Sequence, residues 1–271
     1  MASKTDLLPL AADFPAASQA TWLKLVDKVL NGVPFEKKLV ARTYDGLSIQ
    51  PLYTADDWDS AGDPTGFPGA APYTRGGRAS GTAENGWDIR QIHAHPDPQV
   101  ANRQILEDLE RGVTSIVLRV DPSGKNGTAV RSKADLDTAL KGVLLDIAPI
   151  VFDPTGPTLP MSALFMQVLA DRGLKNDAFA GCFGTDPLGA LATTGTLITD
   201  LDTILARMAD TTAYAARHYP NARTLNVKTT PYHGAGCGEA QELGVAMATA
   251  VEYLRRLTTA GLDVDTATRQ A

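Results

Sequence analysis

Cysteine is nearly absent: only Cys182 and Cys237 occur in 271 residues. Two thiols so far apart give neither a disulfide framework nor a cysteine-rich zinc site, and they read as reduced core residues. Aromatic residues are few, at 6%. Long hydrophobic runs are missing too, so no transmembrane helix is expected. Positive charge is in deficit: 25 Lys and Arg stand against 31 Asp and Glu, a formal net charge of -6. That balance disfavours a nucleic-acid or anionic-membrane surface. Residues 1–15 hold one lysine, with no signal-type apolar core and no arginine-rich presequence. A cytoplasmic location is the expectation. What is present, 44% hydrophobic and 21% charged residues, is ordinary for a folded domain large enough to bury a core.

Residues 1–15 read as a loose arm. Trp22, Leu25, Val26, Val29 and Leu30 then fall on one helical stripe, and Asn31-Gly32 ends it. Phe35–Val40 and Leu47–Leu52 flank Asp45-Gly46, which predicts a hairpin. Residues 55–86 are rich in Gly, Pro, Asp and Ala and read locally as a linker. From Trp87 a strand–helix rhythm begins. Strands are expected at Ile89–His95, Ser115–Val120, Ala148–Phe152, Phe179–Phe183 and Thr224–Thr229, with helices near 98–111, 132–145, 161–172, 200–218 and 238–259. Such alternation predicts an α/β fold with a mainly parallel sheet. It does not separate a barrel from an open, doubly wound sheet.

The motifs are mostly ambiguous. His233-Gly234-Ala235-Gly236-Cys237-Gly238 follows a strand and opens a helix, but its glycines are spaced GxGxG, not in the dinucleotide pattern. Pro122–Thr128 contains Gly124-Lys125 without the remainder of a phosphate loop. His93 and His95 share one strand face and form either a pair of metal ligands or a hydrogen-bonded strand end, with Asp97 and Asp121 nearby in sequence. His218 reads as a helix-end histidine. His233 stands at the carboxyl end of a strand, where barrel enzymes place catalytic groups. A neutral imidazole there can polarise a thioester carbonyl, or simply hydrogen-bond a loop.

Gly66-Phe67-Pro68-Gly69-Ala70-Ala71-Pro72-Tyr73-Thr74-Arg75-Gly76, followed by Trp87-Asp88-Ile89-Arg90-Gln91, resembles the entry to the barrel of the methylmalonyl-CoA mutase family. Trp22 to Tyr53 and the Tyr253-Leu254-Arg255 run extend the resemblance over nearly the whole chain. It implies a TIM barrel with the CoA threaded along its axis. It also implies an adenosylcobalamin-dependent radical isomerisation, with the cobalamin held by a separate domain. A (β/α)8 barrel uses about 250 residues. The 185 residues from Trp87 onward supply about five-eighths of one. The expected architecture is therefore a partial (β/α)8 TIM barrel of about five βα units over 87–271. A helix and hairpin arm over 1–86 precedes it, and no cobalamin-binding domain follows.

The resemblance also implies functional residues, and several are replaced. A tyrosine is expected where Ile92 stands, an arginine at Asn85, a serine at Val117, Gln-Asn before Asp186 where Gly184-Thr185 stand, and a carboxylate-binding arginine at Thr194. Arg90, Asp186 and the Tyr232-His233 pair match. No Asp-x-His-x-x-Gly cobalamin-ligand run occurs. This pattern resembles the small, non-catalytic subunit of heterodimeric mutases. It implies a structural role beside a catalytic large subunit, which supplies the adenosylcobalamin; this chain alone would bind none. The alternative expectation is an independent acyl-CoA isomerase, with Arg75 and Arg90 on the acyl-CoA and Tyr232, His233 and Asp186 at the reacting end. A third is a truncated fragment without function. Five parallel strands would leave two open edges, the last at Thr224–Thr229.

Overall fold

The computed structural model describes residues 12–15, 17–57, 65–84, 86–156 and 158–271, and the chain divides into two compact units between residues 64 and 65. The loose arm expected over 1–15 lies largely outside the described residues, as does Asn85.

In the first unit, helix α1 (Gln19–Leu30) starts where the Ser18 hydroxyl accepts from the Thr21 amide, a side-chain cap for an orphan donor. Asn31 ends it in the left-handed conformation at φ 49°. Its stripe stays open: Leu25 and Val29 are exposed. The expected strand over Phe35–Val40 is corrected, because Phe35–Lys38 forms a short helix, α2, after Pro34. Proline before a helix fixes φ and lacks only a donor that would have no partner there. The hairpin survives in shorter form, as β1 (Ala41–Arg42) and β2 (Ser48–Ile49), antiparallel about Asp45-Gly46. A 3-10 turn follows at Ala55–Asp57.

The second unit opens with the Gly-Pro-rich stretch, which is not a slack linker. Amide-to-carbonyl bonds step Ala70 to Phe67, Tyr73 to Ala70 and Gly76 to Tyr73, and Gly69 to Gly76 closes the loop. Gly69 sits at φ +78° with the Ala79 amide 2.6 Å from where a Cβ would stand, so only glycine fits.

The sheet then runs β3 (Arg90–His93), α3 (Pro98–Glu110), β4 (Ser115–Val120), α4 (Lys133–Ala139), β5 (Ile150–Pro154), α5 (Thr158–Asp171) and β6 (Gly181–Thr185). It continues with α6 (Pro187–Thr194), α7 (Leu201–His218), β7 (Ala222–Leu225), α8 (Thr230–Gly234), α9 (Glu239–Thr259) and α10 (Val264–Arg269). The strands are parallel and in sequence order, β3-β4-β5-β6-β7. That order, with helices between strands, is a partial TIM-barrel-like fold. β4 coincides with its expected span, and β5 and β6 begin two residues later than expected. β7 begins two residues earlier and stops before the Asn226–Thr229 segment. Helices α6, α8 and α10 fall where no helix was expected.

The outer face holds the core. Ile116, Leu118 and Val120 of β4 and Ile150 and Phe152 of β5 are buried with Leu136, Leu140 and Val168. At its centre Phe165 meets Phe152, Phe179 and Phe183 edge-on, with ring centroids 4.7, 5.0 and 6.3 Å away. A second cluster joins Leu205 and Met208 of α7 to Leu225, Tyr253, Leu257 and Ala267. The far edge of β7 is not bare: the Gln270 carbonyl accepts from both the Thr224 and Leu225 amides. Phe165 is fully buried. Phe165→Ala should therefore cost about 3–5 kcal/mol in chemical denaturation, with an unchanged denaturant slope.

Candidate functional site

Parallel register decides which side chains share the inner face. Ile92 pairs with Val117, Val117 with Val151, and Val151 with Cys182. These four residues form one row across four strands. Two of them, Ile92 and Val117, occupy the positions where the resemblance places a tyrosine and a serine. The row is apolar, and burial pushes the Cys182 thiol up in pKa, so it stays protonated.

Two residues further along, Arg119 pairs with Asp153. The Arg119 Nε donates to Asp153 Oδ2 at 2.7 Å, and the Lys228 ammonium holds Oδ1. Burial opposes ionisation at Asp153. The Lys228 and Arg119 hydrogen bonds outweigh it and hold the carboxyl below the ordinary aspartate range.

Asp186 follows β6. One carboxylate oxygen accepts from the Gly189 amide at 3.0 Å, capping α6, and from the Tyr253 hydroxyl at 2.5 Å. The other accepts from the Lys228 amide at 2.7 Å. Burial, and next the Asp186 charge, push the Tyr253 phenol far up, so it remains a donor. Asp186 thus has both oxygens occupied by protein. Gly184 lies two residues before it at φ +73°, where a Cβ would stand 1.8 Å from the Phe152 carbonyl oxygen. No side chain can project from that position, which accounts for a glycine where the resemblance expects glutamine.

The remaining candidates lie apart. Arg90 belongs to the amino end of the sheet, where Nε donates to Ser115 Oγ at 2.8 Å and the guanidinium pairs with Asp88 at 2.6 Å. Arg75 is exposed in the turn-rich loop, and its guanidinium reaches the Gly66 carbonyl at 3.5 Å. Tyr232 and His233 sit on α8 beyond the carboxyl end of β7. Tyr232 is half-buried. His233 is exposed, with Nδ1 3.0 Å from Glu242 Oε2. The Thr229 hydroxyl, then His233, draw the Glu242 carboxyl below its usual range. Thr194 ends α6 with its hydroxyl bonded to the Ala190 carbonyl. The structure brings Asp186, Tyr253 and Lys228 together and leaves Arg75 and Arg90 elsewhere. Tyr253 and Lys228 were missed as site residues, because nothing local marks them as partners of Asp186.

The histidines do not suit a corrin. His93 is buried, and burial depresses its pKa against the pull of Asp108. The His95 Nδ1 accepts from the Asp97 amide, and His218 stacks on Tyr214 at 4.2 Å. His93 and His95 do not share the strand as expected, because β3 ends at His93. Among the described residues no cluster of His, Cys, Asp and Glu could hold a metal ion, and no helix is long and apolar enough to cross a membrane.

Strand ends of a sequential parallel βα sheet, reached by an ion-paired inner face, are the layout of barrel proteins that work at their carboxyl rim. Residues 42–271 match the methylmalonyl-CoA mutase family, and the chain belongs to it. It is 39% identical to the methylmalonyl-CoA mutase small subunit of Streptomyces virginiae, over 98% of this chain and 42% of that one. It is 35% identical to the small subunit of Propionibacterium freudenreichii subsp. shermanii, over 96% of this chain and 41% of that one. The large subunit of Streptomyces virginiae is 26% identical over 93% of this chain and 36% of its own length. The chain thus spans about two-fifths of the length of these relatives. Their names divide the family into small and large subunits.

Two outcomes follow from this geometry. Gly184→Gln, which restores the residue the resemblance expects, should destabilise the chain by about 2–5 kcal/mol in a denaturant melt. Asp153→Asn should lower stability at neutral pH by leaving Lys228 and Arg119 without their carboxylate. A depressed folded-state pKa contributes stability above the unfolded aspartate value of about 3.9 and loses it as pH falls through the folded value. The deficit of Asp153→Asn should therefore shrink below about pH 4, read as converging denaturation midpoints.

Proposed function

We propose that this chain is the barrel portion of a mutase small subunit, non-catalytic in itself. In this reading it pairs with a catalytic large subunit that interconverts methylmalonyl-CoA and succinyl-CoA. Residues 87–271 form the barrel part and residues 1–86 an arm, in a cytoplasmic complex. The large subunit supplies adenosylcobalamin, whose chemistry is homolysis to start the radical rearrangement. The observation that carries the reading is the apolar row Ile92–Val117–Val151–Cys182. It replaces, on adjacent strands in register, two polar groups that the catalytic pattern would set beside the acyl group. Occupied oxygens at Asp186, the Thr194 hydroxyl in place of an arginine, and the small-subunit names of the most similar relatives support the same reading. Catalytic groups act as a unit, so restoring one leaves the rest of the constellation absent.

The test is gel filtration of the chain alone and mixed with a catalytic large subunit of the family, with turnover and cobalamin binding measured in parallel. Co-elution with the large subunit, no turnover from the isolated chain or its Ile92→Tyr variant, and no saturable adenosylcobalamin binding in equilibrium dialysis at micromolar concentration are expected. An isomerase rate from the isolated chain, or one cobalamin bound per chain, would overturn the reading.

A further inference from the structure

Beneath α6, between the amino-terminal ends of α5 and α7, lies a cavity of about 220 Å3. The two helices that wall it cover the outer face of the sheet, away from the row of Ile92 and Val117. Leu159, Leu197, Ile198, Ile204 and Met208 make its lining chiefly aliphatic, and no aromatic ring is among the lining residues. Pockets for drug-sized ligands run from about 300 Å3 upward. This cavity is too small for the nucleotide part of a CoA ester, and it offers no ring on which a base could stack.

Its polar groups divide cleanly. Of the buried polar side chains in the wall, Asp186 is fully engaged and the Thr211 hydroxyl donates to the Arg207 carbonyl. Thr185 is different: it is 6% exposed, and its hydroxyl has no hydrogen-bond partner. An unpartnered buried hydroxyl costs about 1–3 kcal/mol and needs a reason. Of the two cations in the wall, Lys228 is held by Asp153, whereas the Arg207 guanidinium is exposed and has no ion pair or hydrogen bond. An aliphatic chamber with one orphan hydroxyl and one free guanidinium fits a small molecule with a branched apolar body and a carboxylate.

The geometry points to a binding site here for a free, short, branched-chain aliphatic carboxylate, with its hydrocarbon body between α5 and α7, its charge on Arg207 and a hydrogen bond to Thr185. This site is separate from the inner face and does not depend on pairing with a large subunit.

Isovalerate serves as the probe, with 3-methylbutan-1-ol as its uncharged counterpart. Binding to the full chain is read by calorimetry and by the shift of the thermal midpoint. The expected result is saturable isovalerate binding at one per chain, with the alcohol weaker by about tenfold or more. Arg207→Gln, a surface change that leaves the core untouched, should reduce affinity by a similar factor. Thr185→Val should raise the thermal midpoint of the free chain, because it removes an orphan polar atom, while weakening isovalerate. Absence of saturable binding up to tens of millimolar would overturn the proposal. So would equal affinity for the alcohol, or unchanged affinity in Arg207→Gln.

Discussion

The carboxylate of Asp186 ties the carboxyl end of the sheet together. It ends β6, caps α6, receives the Tyr253 hydroxyl from α9 and receives the Lys228 amide from the segment after β7. A buried carboxylate is tolerated only when its lone pairs are met by donors, and here three donors from three separate segments meet them. If any one were removed, a charge in a nearly closed space would lack part of its solvation. The position of α6, and with it the roof of the cavity over Thr185, depends on that one group.

The same end of the sheet shows how a barrel frame persists while its inner surface changes. The backbone keeps the sequential parallel order, and the outer face keeps its continuous apolar packing around Phe165. The inner face carries an apolar row and then an Arg119–Asp153–Lys228 bridge that crosses from β4 to the segment after β7. Both features neutralise what a reactive inner surface would expose: one removes polar groups, the other pairs them with each other. Fold and site chemistry are separable on such scaffolds.

Much of the frame was legible in the sequence because its signals are local. Ser115–Val120 alternates outer-face Ile, Leu and Val, and α9 has both a long apolar periodicity and a clear end. Asp186-Pro187 and Asp263 are helix-start signals that announce α6 and α10, yet the short helices behind them lack a readable stripe. The Phe35–Lys38 segment is too short for periodicity to separate strand from helix. The site was less legible. The replaced residues Ile92 and Val117 could be picked out singly, but their alignment in one row follows from strand pairing. The partners of Asp186 lie some forty and more residues further on. A one-dimensional pattern carries neither relation.

Each strand of the sheet pairs only with the strand before it and the strand after it. No ladder bond within the sheet therefore spans more than one βα unit, and the loop-closure entropy of each pairing is confined to one crossover. A chain with this wiring can be assembled in the order in which it leaves the ribosome. Every new strand finds its template already in place, and the exposed edge moves along the sheet one unit at a time during synthesis.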